Sequence, residues 1–316
     1  MISTNLKHIS IKSKPTGSLA SAVGHTPLLL LNHLTSGLAP NVNIYAKAEW
    51  FNPGGSVKDR PALNIINTAL AQGQLASGKI LLDSTSGNMG ISYAMFGAAM
   101  DIRVTLVIPG NANRERMTIL RALGADLVIS DPLEGSDGAM RLARQMAAEA
   151  PGKYFYANQY DNPANWQAHY LTTGPEIVDQ TDGKVTHLVA GLGTTGTMTG
   201  TGRFLREYNP GIRLVAVQPD SPLHGLEGLK HLPSSIRPGI YRPDLADETI
   251  EIATEDAYRM AQRLAREEGL FVGPSSAAAA HAALQLASTI DQGTVVVIFP
   301  DAGYKYLSEK FWEDRR

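Results

Sequence analysis

One lysine, two glycine- and hydroxyl-rich turns and a serine pair are the parts of this sequence placed to do chemistry. The string Glu49-Trp50-Phe51-Asn52-Pro53-Gly54-Gly55-Ser56-Val57-Lys58-Asp59-Arg60 sets Lys58 just after a tight turn. A lysine held rigidly and partly stripped of water keeps a neutral, nucleophilic amine near neutral pH, as Schiff-base chemistry demands. The same letters also describe an ordinary helix start capped by Ser56, with a solvated lysine. Ser84-Thr85-Ser86-Gly87-Asn88-Met89-Gly90 follows an apolar run and opens a helix-like segment. Its backbone N–H groups suit a carboxylate, or simply cap a buried helix. Gly191-Leu192-Gly193-Thr194-Thr195-Gly196-Thr197 is the richest turn. Glycines admit an anion closely, threonine hydroxyls donate, and the dipole of the following helix favours phosphate. It also satisfies G-x-G-x-x-G, with Asp220 ending the next apolar run where a ribose-binding acid would sit. That keeps a nicotinamide-dependent oxidoreductase open. Ser275, in Gly273-Pro274-Ser275-Ser276-Ala277, sits at one more strand-to-helix turn, able to hydrogen-bond a heterocycle nitrogen or to cap the alanine-rich helix. The eight histidines show no metal-ligand spacing, so no metal is assigned.

The elements that must position these groups follow from the hydrophobic pattern. Apolar runs at Ile80–Leu82, Val104–Ile108, Leu127–Ile129, His187–Ala190, Leu214–Val217 and Thr294–Ile298 alternate with amphipathic stretches such as Arg114–Leu123, Gly138–Ala148 and Glu255–Glu268. This predicts an α/β fold of mostly parallel twisted sheets covered by helices on both faces. Ligands of such folds bind at the carboxyl ends of the strands. A chain of 316 residues is long for a single core. The Asn158–Asn165 stretch is read as a domain junction, separating a smaller unit over 40–158 from a larger one made of 1–39 plus 159–316. With 28 basic against 30 acidic residues and no basic tract, neither nucleic acid nor a membrane surface is an expected partner. The absence of cysteine excludes disulfides, thiolate metal sites and cysteine nucleophiles, and suits a reducing compartment. No apolar run approaches a membrane span, and the first 19 residues lack a signal-peptide core, so a cytoplasmic protein is expected.

Six strings carry a resemblance in their order and spacing. They are Gly24-His25-Thr26-Pro27-Leu28, Asn52 to Arg60, Thr85-Ser86-Gly87-Asn88, Asn162-Pro163-Ala164-Asn165, Thr172-Thr173-Gly174-Pro175-Glu176-Ile177, and Asp301 to Ser308. Together they resemble the β-family (fold type II) of pyridoxal 5′-phosphate (PLP) enzymes, and within it the cysteine synthase, or O-acetylserine sulfhydrylase, branch of the cysteine synthase B kind. The resemblance implies two α/β domains with PLP in the cleft between them, and a homodimer. It implies that Lys58 carries the cofactor as an internal aldimine and shuttles protons, and that Asn88 bonds the 3′-oxygen. Gly193, Thr194, Thr195, Gly196 and Thr197 would hold the phosphate, and Ser275 would face the pyridine nitrogen. Thr85, Ser86, Gly87 and Gln159 would receive the substrate carboxylate. Met89 stands beside them where the family usually has threonine, and Pro274 and Ala277 replace the usual small aliphatic residue and glycine. The loop Gly225 to Leu229, with Gly228, would close over the substrate.

A serine at the ring nitrogen does not keep it protonated, which favours loss of the α-proton coupled to departure of a β-leaving group. The implied reaction joins an activated serine to sulfide through an aminoacrylate, giving L-cysteine by ping-pong chemistry. Asp220 near the pocket favours neutral O-acetylserine as donor, while Lys230 and His231 keep O-phosphoserine open. Rival reactions are β-replacement by an amine, thiosulfate or homocysteine, and serine or threonine dehydration. The threonine-rich phosphate loop speaks against dehydration, and an intact Lys58 against an inactive binding role.

Overall fold

The continuous apolar runs form strands buried on both faces, and the amphipathic stretches form the helices that cover them. The computed structural model describes residues 17–76, 78–85 and 87–313. The chain opens with β1 (Leu28–Leu30) and β2 (Asn41–Ala48), followed by α1 (Asp59–Ala71), β3 (Ile80–Ser84), α2 (Asn88–Met100), β4 (Val104–Pro109), α3 (Arg114–Ala122), β5 (Asp126–Ser130), α4 (Gly135–Glu149) and β6 (Tyr154–Tyr156). It continues through α5 (Pro163–Leu171), α6 (Thr173–Gln180), β7 (His187–Gly191), α7 (Gly196–Tyr208), β8 (Arg213–Pro219), β9 (Glu248–Ile252), α8 (Thr254–Glu267), α9 (Pro274–Ala287) and β10 (Gln292–Phe299).

Strands β3 to β6 make a four-stranded parallel sheet in the order β5-β4-β3-β6. The remaining six are ordered β1-β2-β10-β7-β8-β9 and are parallel except for β1. The two-residue period of a strand divides each sheet's side chains between its faces. In the larger sheet Val189, Val215 and Val297 pack with α8 and α9, whereas Leu188, Leu214 and Val296 pack with α6 and α7. In the smaller sheet Leu81 and Leu106 face α1, α2 and α3, whereas Leu82 and Val107 face α4. Among the described residues, no helix is long and apolar enough to cross a membrane.

The expected unit over 40–158 begins with a strand of the six-stranded sheet. β2 pairs with β10 along its whole length, from Asn41 beside Gln292 to Ala48 beside Phe299, so the chain as far as Ala48 goes with the six-stranded sheet. Its first half alternates exposed asparagines with buried Val42 and Ile44, a weaker mark than the continuous apolar runs of its neighbours. Turns that follow the carboxyl ends of β2, β3, β7 and β10 carry Lys58, Thr85 to Asn88, the glycine-threonine loop and Asp301 respectively.

Candidate active site

Lys58 immediately precedes α1, on the turn that leaves β2. The Val57 amide donates to the Pro300 carbonyl at 2.8 Å, and Ser56 bridges to Asp301, so the turn is bonded to the chain just after β10. A buried ion cluster lies beneath it. Arg60 donates from Nε to Glu49 Oε2 (2.7 Å), from Nη2 to Glu49 Oε1 (2.8 Å) and from Nη1 to Glu176 Oε1 (2.6 Å). Lys47 Nζ donates to Glu176 Oε2 at 2.6 Å, and the Thr26 hydroxyl to Glu49 Oε1 at 2.6 Å. Three of the family-like strings thus meet in the scaffold that aims the lysine, off the cleft wall itself.

Burial alone would raise the Glu176 carboxyl, but the hydrogen bonds and charge of Arg60, with Lys47, outweigh it and bring its pKa down to about 2. A carboxyl depressed on folding contributes stability that is full above its ordinary value of 4.5 and lost as pH falls toward 2. Glu176→Gln leaves Arg60 and Lys47 short of a counter-charge and is expected to lower stability at pH 7 by about 3–5 kcal/mol. The gap to the wild type should shrink as pH falls below about 4. Urea unfolding of both proteins across that range checks it.

The Lys58 side chain is half-buried and lines a cleft with Thr85, Gly87, Asn88 and Gln159 on one side and Gly193, Thr194, Thr195 and Ser275 on the other. Burial lowers its pKa to about 8, against the pull of the Asp301 and Glu49 carboxylates. Part of the lysine population is therefore neutral near physiological pH.

The loop between β7 and α7 is built for close approach. A Cβ on Gly193 would overlap the Gly228 carbonyl oxygen, and one on Gly196 would overlap Asn165 Oδ1. Thr195 is left-handed, at φ 70°, and its buried hydroxyl has no partner among the described residues. Thr194 Oγ1 accepts from Asn165 Nδ2 at 3.1 Å, and Thr197 Oγ1 lies 3.3 Å from His169 Nε2. Burial drops His169 to a pKa of about 3, so the imidazole is neutral.

On the opposite wall, Thr85 Oγ1 accepts from the amides of Gly87 and Gly90, both at 3.1 Å, and so braces its own loop. Ser86 lies outside the described residues. Gln159 Nε2 donates to the Ser84 carbonyl at 2.7 Å. Met89 lines the cleft and packs into the apolar core of the smaller sheet. Asn88 is held at both ends of its amide: Nδ2 donates to Asp301 Oδ2 at 2.7 Å, and Oδ1 accepts from Lys305 Nζ at 2.7 Å. Ser275 lies in the first turn of α9, buried, its hydroxyl without a protein partner among the described residues. Pro274 occupies the first position of that helix, where its fixed φ and missing N–H cost nothing, and Ala277 is core.

Several groups at the site have no local signature in the sequence. Arg116 is buried on the cleft wall, ion-paired with Glu227 and lying 5.0 Å over the Tyr306 ring. His169, and Asn165 from one of the family-like strings, support the glycine-threonine loop from α5. Asp301 and Lys305 belong to a recognisable string, yet their grip on Asn88 is visible only in three dimensions. Lys230 lines the cleft with its Nζ 2.9 Å from Asp137 Oδ1, while His231 bonds Ser234 instead. Gly228 also lines the cleft. Asp220, the acid a dinucleotide reading requires, is exposed beyond β8 and is not part of the cleft wall.

A family model described as "Pyridoxal-phosphate dependent enzyme" matches residues 19–301, and the chain belongs to that family. It is 48% identical over 307 residues to a cysteine synthase of Aquifex aeolicus (strain VF5), covering 96% of this chain and 94% of that one. It is 40% identical over 291 residues to cysteine synthase B of Escherichia coli (strain K12), covering 92% and 94%. Among solved structures, the cysteine synthase of Entamoeba histolytica matches with a TM-score of 0.91 at 36% identity, over 98% of this chain and 95% of that one. The fold is that of fold type II PLP enzymes. The cleft also fits the cofactor on its own geometry. An unpartnered buried hydroxyl and two glycines that admit no Cβ stand at the start of α7, in the same cavity as an amine of lowered basicity.

Proposed function

We propose that this enzyme is a cysteine synthase, converting O-acetyl-L-serine and sulfide into L-cysteine and acetate. One observation carries the reading: the Lys58 amine, with a pKa of about 8, opens into the same cleft as an anion-binding helix start and a carboxylate loop. Bound PLP supplies an electron-withdrawing ring that makes the α-hydrogen of an attached amino acid acidic. Lys58 Nζ, neutral in part, takes that proton and later returns one. Gly193, Thr194, Thr195, Gly196 and Thr197 hold the phosphate against the positive end of α7. Thr85, Ser86 and Gly87 supply backbone donors to the substrate carboxylate, with Gln159 opposite and Met89 excluding water beside them. Asn88, with one N–H committed to Asp301, has the other left for the 3′-oxygen. Ser275 offers the ring nitrogen a hydroxyl rather than a charge. The cations on the cleft wall, Arg116 and Lys230, already face Glu227 and Asp137, which supports the uncharged acetyl ester over a phosphate-bearing donor. One domain per sheet with the cofactor between them, a homodimeric assembly and a cytoplasmic location complete the proposal; the cysteine-free sequence is in keeping with the last.

Adding O-acetylserine and O-phosphoserine in turn to the yellow holoenzyme, then sulfide, tests the reading. Cysteine should form chiefly from O-acetylserine. Binding of NAD by a protein without visible cofactor absorbance would sink it. Ser275→Ala removes one hydrogen bond worth about 1 kcal/mol, so kcat/KM should fall roughly fivefold. Ser275→Asp, which favours a protonated ring, should cost far more. Steady-state kinetics of the two variants distinguish them, and the reverse order would remove Ser275 from its role.

A further inference from the structure

Asp83 lies in β3 two residues ahead of Thr85, fully buried, and nothing in the chemistry above uses it. A carboxylate shut away from water is costly unless its oxygens are satisfied. Its Oδ1 accepts from the Ser84 amide at 2.8 Å and its Oδ2 from the Gln159 amide at 3.2 Å. Gln159 Nε2 donates in turn to the Ser84 carbonyl, closing a ring between the end of β3 and the turn after β6. The chain of bonds runs on: Asn165 Nδ2 donates to the Gln159 carbonyl at 2.7 Å and to Thr194 Oγ1 at 3.1 Å. One buried acid therefore ties the loop that takes the substrate carboxylate to the loop that takes phosphate. We propose that Asp83 is a positioning residue for the amino-acid substrate, holding the Ser84–Thr85 strand end and Gln159 in register so that both face the carboxylate. The inference rests on the PLP-dependent reading given above.

An ionised carboxylate offers an acceptor at each oxygen, whereas an amide or a protonated acid puts a donor in place of one of them. The Ser84 or the Gln159 amide would then face that donor. Burial pushes the Asp83 carboxyl up to about 7, with the Ser84 and Gln159 amides opposing the shift. Around it stand Tyr93 of α2, Tyr156 of β6, and Tyr160 and Asp161 on the turn that follows, with Arg144 of α4 beside Tyr156. Burial raises all three tyrosines, so they stay neutral around pH 7.

The test uses holoenzyme and L-serine, which carries the substrate carboxylate without a good leaving group, and reads the shift in cofactor absorbance. Asp83→Asn is expected to bind L-serine about tenfold more weakly than wild type at pH 8, with its cofactor absorbance unchanged before serine is added. The difference should close toward pH 6, where the wild-type acid is itself protonated. A purely structural role would lower the melting temperature and leave that pH-dependent ratio flat. Equal dissociation constants at pH 8, or a ratio that does not change with pH, overturn the inference alone. A wild-type holoenzyme that ignores both L-serine and O-acetylserine overturns the functional reading and this inference with it. If Asp83→Asn does not fold, the wild-type dissociation constant decides, corrected for protonation of the ligand amine. It should rise about fivefold from pH 8 to pH 6, and a constant value overturns the proposal.

Discussion

Lys58→Ala is expected to lower turnover of O-acetylserine and sulfide by on the order of a thousandfold or more, the range over which a positioned general base acts. The loss should be chemical rather than structural. Among the described residues the Lys58 amine makes no hydrogen bond, whereas its neighbours Arg60 and Asp59 carry the scaffold. Arg60 is anchored to two glutamates, and Asp59 Oδ2 accepts from the Gly54 amide. The variant should therefore melt within a few degrees of wild type and retain PLP through the intact phosphate loop, with an altered visible spectrum. Single-turnover rates, absorbance spectra and thermal unfolding of the two proteins check the three parts separately. Substantial residual turnover would mean that another base takes the proton.

Gly193→Ala should produce the second large effect, and through a different route. The added methyl would overlap the backbone oxygen of Gly228, an atom that cannot step aside without moving the loop over the cleft. Overpacking of this kind costs about 1–3 kcal/mol where the surroundings can shift. Here the shift displaces the amides that hold phosphate. PLP affinity is expected to fall by roughly thirtyfold, as about 2 kcal/mol of lost binding would give. Gly37→Ala is the matching control, since a Cβ there meets nothing within 4 Å. Cofactor content after dialysis separates the two, and a Gly193→Ala protein that stays fully loaded would show that the loop yields freely.

The parts of this molecule that were legible in its sequence share a physical property: the signal is local. Val104–Ile108 and Val295–Phe299 are apolar but for Thr105 because both faces are covered, and they read as strands without further help. The glycine-threonine loop announces an anion site because glycines and hydroxyls crowd a single turn. The pairing of β2 with β10 is not legible, because partners about 250 residues apart leave no trace in either segment. β9, at the edge of its sheet, alternates Glu248, Ile250 and Ile252 with exposed residues and lacks an apolar run altogether. The supporting side chains are harder still to read. Asn165, His169, Arg116 and Asp301 act on residues far from them in the chain, and no spacing rule connects Asp83 to Gln159. The family-like strings around Thr26, Arg60 and Glu176 were visible, but their purpose, one shared buried ion cluster, appears only once the chain is folded.

The position of β10 sets an order on how such a molecule can be made. β10 lies between β2 and β7, and the segment just after it supplies Asp301 and Lys305 to Asn88. While the chain is still emerging from the ribosome, β2 has no partner but the three-residue β1, and the lysine turn lacks its bonds to Pro300 and Asp301. The smaller sheet, by contrast, is contiguous from Ile80 to Tyr156 and can pair as soon as it is synthesised. Long-range parallel pairing of the β2–β10 kind is slow because the loop must close before any contact rewards it. The cleft is therefore completed only after β10 has been made, and a chain that stops short of β10 lacks the strand and the Pro300 and Asp301 bonds that back the lysine turn.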